Sequence, residues 1–316
     1  MSKAEGSGLR ARPALAIFAV CCALGLLALY RPAGQANEAT LQKLTGLMYR
    51  PTWGDMPANM TIPMSVPGWA WDAAAATTGL VDGKVNMSVP WNSQFGEDKW
   101  LMQRMYYNKR NGFYLEFGAH DGASISNTKW LHDNAGWKGM LIEANPVLYT
   151  TLAANRPQDI NIGVAICDKF QIVHFANRGN VGGIWEFMNP EHMEKWFKGF
   201  DESTLSPVAC VPLMFLLDRF GVKHIDFWSL DVEGAELAVL KAFDFSQVTV
   251  DVIVAETSGD DPAKDEAVCA ILANNGFVAV EHSNKDTLLN KMDTFFVHRR
   301  VLRQRSHGPG FAELKT

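Results

Sequence analysis

Between residues 113 and 297 short apolar runs alternate with longer stretches in which apolar positions recur every three or four residues. The runs are Phe113 to Phe117, Gly139 to Glu143, Ile160 to Ile166, Ile225 to Val232, Val250 to Glu256, Phe277 to Glu281 and Thr294 to Val297. Runs this continuous predict strands buried on both faces. Between them, Pro146 to Asn155, Pro212 to Phe220, Ala235 to Ala242 and Pro262 to Asn274 predict helices, the last stopped by Asn275-Gly276. The alternation implies an α/β domain: a mostly parallel, seven-stranded, doubly wound sheet with helices on both faces. The last two runs suit an antiparallel pair at its edge.

Upstream the pattern changes. Ala14 to Tyr30 is uncharged and apolar, with Lys3, Arg10 and Arg12 before it and Arg31 after. It is at the short end for a membrane span and longer than the core of a cleavable signal, and Tyr30-Arg31-Pro32 fits a cleavage site poorly. Residues 13–31 therefore read as a transmembrane signal anchor with residues 1–12 cytosolic, because the basic residues precede the span; a cleaved signal is the alternative. The expected address is a single-pass, type II protein of the Golgi or endoplasmic reticulum with its α/β domain lumenal, a short span suiting thin membranes. Two N-glycosylation patterns, Asn59-Met60-Thr61 and Asn86-Met87-Ser88, fall on the lumenal side.

Residues 32–95 carry Pro51, Pro57, Pro63, Pro67 and Pro90 without sustained periodicity and read as a stem. Trp53, Trp69, Trp71 and Trp91 are too many large aromatics for a solvated linker, so part of it is expected to pack back on the domain. The domain is placed at 96–300 and a basic tail at 301–316, with Arg299, Arg300, Arg303 and Arg305 solvated.

Composition narrows the partners. A formal charge of −5 provides no basic field, which argues against nucleic acid. The cysteines show no CxxC spacing, so neither a zinc ribbon nor a dithiol redox site is expected. In an oxidising compartment Cys167 and Cys210 are the pair to expect bridged, with Cys269 a buried free thiol; three unpaired core cysteines fit equally well.

In doubly wound sheets ligands bind beyond the carboxyl ends of the strands. Here those ends are acidic: Glu116 and Asp121 around Gly118-Ala119-His120 and Gly122, Glu143, Asp168, then Asp231 with Glu233, and Glu256. Gly118 allows close backbone approach and Gly122 a positive φ. The loop lacks the GxGxxG and GxxxxGK[ST] patterns that cradle phosphate. Its carboxylates repel phosphate and attract a cation, and S-adenosylmethionine carries an ammonium and a sulfonium. Glu143 is placed to accept from both ribose hydroxyls. Asp168 can accept from the adenine amino group, with Leu141 and Ile166 against the base. Each acid alone reads as well as a cap or loop charge; their serial order favours a ligand site.

Three stretches resemble the FkbM methyltransferase family: Leu115 to Gly122 with Ser126-Asn127-Thr128; Trp137 to Pro146; and Ile225 to Glu236, containing Leu230-Asp231-Val232-Glu233-Gly234-Ala235-Glu236. Glu256 and Asp293 to Val297 follow in order. The resemblance implies a class I, Rossmann-like methyltransferase fold and S-adenosylmethionine-dependent O-methylation, typically of a sugar or polyketide hydroxyl. It assigns Glu116, Gly118, Asp121, Glu143 and Asp168 to the cofactor and Asp231 with Glu233 to the active rim; Ala119, His120, Asn127, Thr128, Ala144 and Ile166 are expected as further cofactor contacts. His120 stands where the family more often has asparagine.

Methyl transfer needs the acceptor oxygen in line with the methyl carbon and its proton removed or weakened. Asp231, Glu233, His120 and His282 are candidate bases, Asp231 the favoured one. Asp231, Glu233 and Glu256 are also candidate ligands for a divalent metal, whose involvement stays open, while Glu236 reads as a capping acid. The insertion with Gly182-Gly183-Ile184-Trp185 and Phe187 to Phe200 reads as an acceptor lid, in which Trp185, Trp196 and Phe197 either stack on sugar faces or form core. The expected acceptor is a small-molecule or glycan hydroxyl; the alternative is a non-catalytic carbohydrate- or protein-binding domain retaining this fold.

Overall fold

β2 (Phe113–Phe117) is central because both its faces are apolar: Phe113, Leu115 and Phe117 enter one core and Tyr114 the other. In the computed structural model, which describes residues 52–72, 84–179, 181–188, 190–232, 234–257, 259, 261–280 and 293–305, it is flanked in parallel by β3 (Lys138–Ile142) and β9 (His224–Leu230). With β4 (Ile160–Ile162), β10 (Thr249–Glu256), β11 (Phe277–Ala279), β12 (Asp293–His298) and β1 (Met64–Ser65) the order is β1-β4-β3-β2-β9-β10-β12-β11. β4 and β10 are parallel to the central strands, and β12 runs antiparallel to both β10 and β11. The expected seven strands are therefore present, and the eighth is β1, two stem residues that pair antiparallel with β4.

The helices form where caps and apolar spacing agree. They are α1 (Glu97–Trp100), α2 (Lys129–Ala135), α3 (Pro146–Asn155), α4 (Pro190–Trp196), α5 (Leu213–Arg219), α6 (Glu236–Ala242), α7 (Pro262–Asn274) and α8 (Arg299–Arg305). α3 and α7 begin with proline after a capping side chain: Asn145 accepts from the backbone N–H of Val147 and Leu148, Asp261 from that of Lys264. Leu213, Leu216, Val239, Leu240, Val268 and Leu272 fill one side of the sheet; Trp130, Leu131, Leu152, Leu101 and Val301 fill the other.

Several expectations change. The run Ile160 to Ile166 is two strands in two sheets. Gly163 breaks it, for a Cβ there would lie 2.8 Å from the ring of Tyr149, and its N–H donates to Pro63 O at 2.8 Å. After this break β5 (Ala165–Cys167) joins β8 (Ser206–Pro212), β6 (Gln171–Ala176) and β7 (Gly183–Ile184) in a second sheet of order β5-β8-β6-β7. Cys167 and Cys210 are bridged across β5 and β8, their Cα atoms 5.5 Å apart. Cys269 is likewise disulfide-bonded, not the expected free thiol.

The stem packs back extensively, so 95 is not where the folded domain begins. Met60 and Ala70 enter one core and Val85 the other, Trp69 Nε1 donates to Gln158 O at 2.8 Å, and Trp91 stacks on Trp130 at 4.1 Å. At the other end Arg303 is exposed as expected, but Arg299 and Arg300 are not part of a solvated tail. They start α8, where Val301 is buried and Arg300 donates to Val250 O and Asp251 Oδ1, both at 2.6 Å. The expected anchor at 13–31 lies outside the described residues, among which no helix is long and apolar enough to cross a membrane.

Candidate active site

The chain leaves β2 toward β3 on one side and later returns to β9 on the other, so the crevice at the carboxyl ends of β2 and β9 is a topological switch point. A cavity of about 470 Å³ opens there, the size of a cofactor or drug-sized ligand. Of the residues singled out in the sequence, Glu116, Gly118, Ala119, His120, Asn127, Glu143, Ala144, Ile166, Asp231 and Glu256 line it. Asp121, Thr128 and Asp168 do not. Glu233 and His282 lie outside the described residues.

Gly118 shapes the floor. Its φ is 62°, and a Cβ would come within 2.3 Å of the Asp231 carbonyl oxygen, so only glycine lets the two strand ends meet this closely. Glu116, though in the lining, spends its carboxylate on the loop above. It accepts from Ser126 Oγ at 2.9 Å, from Asn127 N–H at 2.7 Å and from the Thr128 hydroxyl. Burial raises its pKa, opposed chiefly by the Arg156 guanidinium. Asp121 turns away from the cavity to close a tight turn, accepting from the N–H groups of Ala123 and Ser124 and from Ser124 Oγ. Thr128 is fully buried under the loop.

A buried arginine that the apolar pattern does not flag holds this loop from below. Arg156 donates to Asp159 Oδ2 at 2.9 Å, to Gly122 O at 3.0 Å and to the Tyr114 hydroxyl at 2.6 Å. Asp159 accepts in turn from Tyr114 OH and Gly139 N–H. The charge is thus paired and hydrogen-bonded, as burial demands.

At the end of β3, Glu143 accepts from His120 N–H at 2.8 Å and Asn145 N–H at 2.7 Å, joining the first two strand ends. Burial drives its pKa up to about 7 despite these bonds. Ala144, Val164 and Ile166 give this side an apolar wall. Asp168, beyond the break at Gly163, is exposed, because β5 carries it into the second sheet. It does not line the cavity.

The far side of the cavity is acidic. Asp231 after β9 and Glu256 at the end of β10 are joined there by Glu97 and Asp293. Antiparallel pairing sets Asp293 opposite Glu256, and Asp293 is hydrogen-bonded to Glu97. Burial, then the charges of Asp231, Glu97 and Glu256, push Asp293 up to about 9. Lys264 donates to Glu236 at 2.9 Å, and Glu236 also accepts from the N–H groups of Val232 and Gly234, holding the turn before α6 as its capping reading implies. Among the described residues, Asp231 and Glu256 do not converge with a third ligand closely enough for a metal. The triad that does converge, His224, Asp226 and Asp251, is at the other end of the strands, where Lys109 and Arg300 already pair with its carboxylates.

The aromatic insertion divides in two. Trp185 stacks on Phe200 and meets Phe197 edge-on, forming a small core of its own, while Trp196 stays exposed and lines the cavity with His192, Lys195 and Phe187. Glu97, Gln94 and Phe95 were missed. Gln94 and Phe95 lie in the supposed stem and Glu97 just past its end, where no periodicity marks them. Asp293 had a legible signal: an antiparallel partner for β10 has to start beside Glu256.

A mostly parallel α/β sheet with a ligand cavity at its switch point defines a Rossmann-like ligand-binding domain, and the lining is that of a site for a cation. Among the described residues no arginine lines it, carboxylates outnumber lysines seven to two, and Gly118 leaves the backbone bare. A family model described as the methyltransferase FkbM domain matches residues 116–279, over half of the chain, and the chain belongs to that family. No curated protein matches it. The family implies methyl transfer with S-adenosylmethionine as cofactor, and the buried Glu143 carboxylate and acidic lining fit a ligand with ribose hydroxyls and two positive centres.

Proposed function

We propose that the protein transfers a methyl group from S-adenosylmethionine to a hydroxyl of a carbohydrate or glycoconjugate in the secretory pathway. The observation that carries this reading is the meeting of Gly118 with the backbone of Asp231, which puts Asp231, the cavity-lining residue just after β9, beside the glycine loop at the switch point. Glu143 takes the ribose hydroxyls, with Gly118, Ala119, His120 and Asn127 along the amino-acid end and Ala144 and Ile166 against the base. Bound there, S-adenosylmethionine supplies an electrophilic methyl on a sulfonium. Asp231 would accept the acceptor hydroxyl's proton while the hydroxyl oxygen takes the methyl carbon, the sulfonium–carbon bond breaking to leave S-adenosylhomocysteine.

The compartment follows from separate observations. The Cys167–Cys210 bridge suits an oxidising lumen, and Asn59 and Asn86 are both exposed, as glycan acceptors must be. We place residues 13–31 as the anchor on the charge and length of that run.

Full-length protein incubated with methyl-labelled S-adenosylmethionine and a glycan panel should place label on a glycan oxygen. Asp231→Asn should lower kcat by about a hundredfold or more, the usual worth of a general base, well beyond its effect on cofactor affinity. Label on nitrogen, or full activity in Asp231→Asn, would overturn the assignment.

A further inference from the structure

The sheet order divides the cavity. Glu143 and Ile166 belong to the side of β3 and β5, whereas Asp231, Glu256 and Asp293 stand at β9, β10 and β12. Glu97, buried and hydrogen-bonded to Asp293, ties the chain just before α1 to that second side. Residues 91–98 are built firmly. Trp91 stacks on Trp130, and the fully buried Asp98 accepts from Asn92 N–H at 2.7 Å, Ser93 N–H at 3.2 Å and Ser93 Oγ at 2.6 Å. From this brace Gln94 and Phe95 face the cavity, Gln94 exposed and its amide without a hydrogen bond among the described residues.

The brace also reaches the glycine loop. Asn92 Nδ2 donates to Ala123 O and Ser126 O, both at 3.0 Å, so it clamps the backbone on either side of Ile125. Ile125 has φ 54°, an outlier for a β-branched residue, and its side chain is 42% exposed at the cavity. Strain of this kind persists only where the surroundings impose it, and it gathers at ligand contacts. Gln94, Phe95 and Glu97 precede the family-matched residues 116–279, so most of this wall is additional to the matched domain.

Resting on the methyl-transfer reading, we propose that Gln94, Phe95 and Ile125 form the acceptor-selecting wall, and that its ligand is a neutral polyhydroxylated ring. The ring of Phe95 and the side chain of Ile125 offer an apolar surface to the C–H face of a sugar. The Gln94 amide both donates and accepts, which suits adjacent hydroxyls. The carboxylates of Glu97, Asp231 and Glu256 on the same side repel sulfated, phosphorylated or uronic acceptors.

The test uses full-length protein, labelled S-adenosylmethionine and a panel of methyl glycosides of neutral hexoses and hexuronic acids. Wild type should methylate at least one neutral glycoside and no uronide. Gln94→Ala, Phe95→Ala and Ile125→Ala should each raise KM for that glycoside about tenfold, with cofactor affinity by calorimetry within twofold of wild type and Phe95→Tyr close to normal. An active wild type with unchanged KM in all three variants overturns the wall alone. Weakened cofactor binding at unchanged glycoside KM assigns the wall to the cofactor and overturns it as an acceptor site. A wild type that binds cofactor yet methylates no glycoside overturns the carbohydrate reading together with the ring proposed for this wall.

Discussion

The carbonyl oxygen of Asp231 lies 2.3 Å from the point a Cβ on Gly118 would occupy. Two strands distant in sequence but adjacent in the sheet thus share one contact, which sets how closely the glycine loop approaches the β9 carboxylate. Gly118→Ala combines a left-handed backbone with a collision against main chain, which cannot rotate away. It should destabilise the fold by at least about 2 kcal/mol and separate the loop from Asp231. Chemical denaturation measures the first effect; cofactor titration should show at least a tenfold weaker affinity.

Glu143 makes cofactor binding depend on pH. With its pKa raised to about 7 in the free protein, the carboxylate proposed to accept from ribose is mostly ionised only above that value. The dissociation constant should be flat above pH 7 and rise toward tenfold per unit as pH falls below it. Glu143→Gln should bind weakly with no such slope, and a wild-type affinity independent of pH between 5 and 8 would refute this role.

His224 links stability to pH with a definite sign. Its pKa is raised, first by its hydrogen bond to Asp226 and then by the charges of Asp226 and Asp251. A raised folded-state pKa contributes stability that is complete below the unfolded value near 6.5 and is lost as pH rises through the folded value. The side chain is 47% exposed, so the effect should stay below about 1 kcal/mol. His224→Gln should flatten the fall in midpoint denaturant concentration above pH 6.5 by that amount.

Reduction should reach the site through the second sheet. The Cys167–Cys210 bridge spans 43 residues, and the chain-entropy relation gives about 4 kcal/mol for a loop of that length. Because Ile166 of the lining precedes Cys167 directly, Cys167→Ser should lower the melting temperature and weaken cofactor binding together. Melting curves with and without reductant, beside calorimetry, test this.

Local signals account for what was legible. Pro146 and Pro262 after capping residues, and Asn275-Gly276 after α7, mark helix ends by chemistry confined to a few residues, so α3 and α7 match their predicted bounds. The central strands showed because burial on both faces leaves only apolar side chains. The second sheet did not: β6 buries only Val173, Phe175 and Ala176, with His174 interrupting any continuous apolar run, and β8 carries Pro207 and Pro212, which argue against a strand. Within the site, Glu143 and Asp231 could be placed because strand ends face the crevice. Asp121 and Asp168 follow strands as well, but turn chemistry and the break at Gly163 direct them elsewhere. Glu97 meets Asp293 from the opposite end of the domain, a pairing that only the folded chain reveals.

The bridge that joins β5 to β8 encloses β6, β7 and α4 in one covalent ring. A protease that nicks the chain inside this ring releases nothing: both fragments stay tethered at Cys167 and Cys210. The cavity wall bearing Trp196 can therefore be cut and still be held at both ends, and the cut becomes a separation only when the disulfide is reduced.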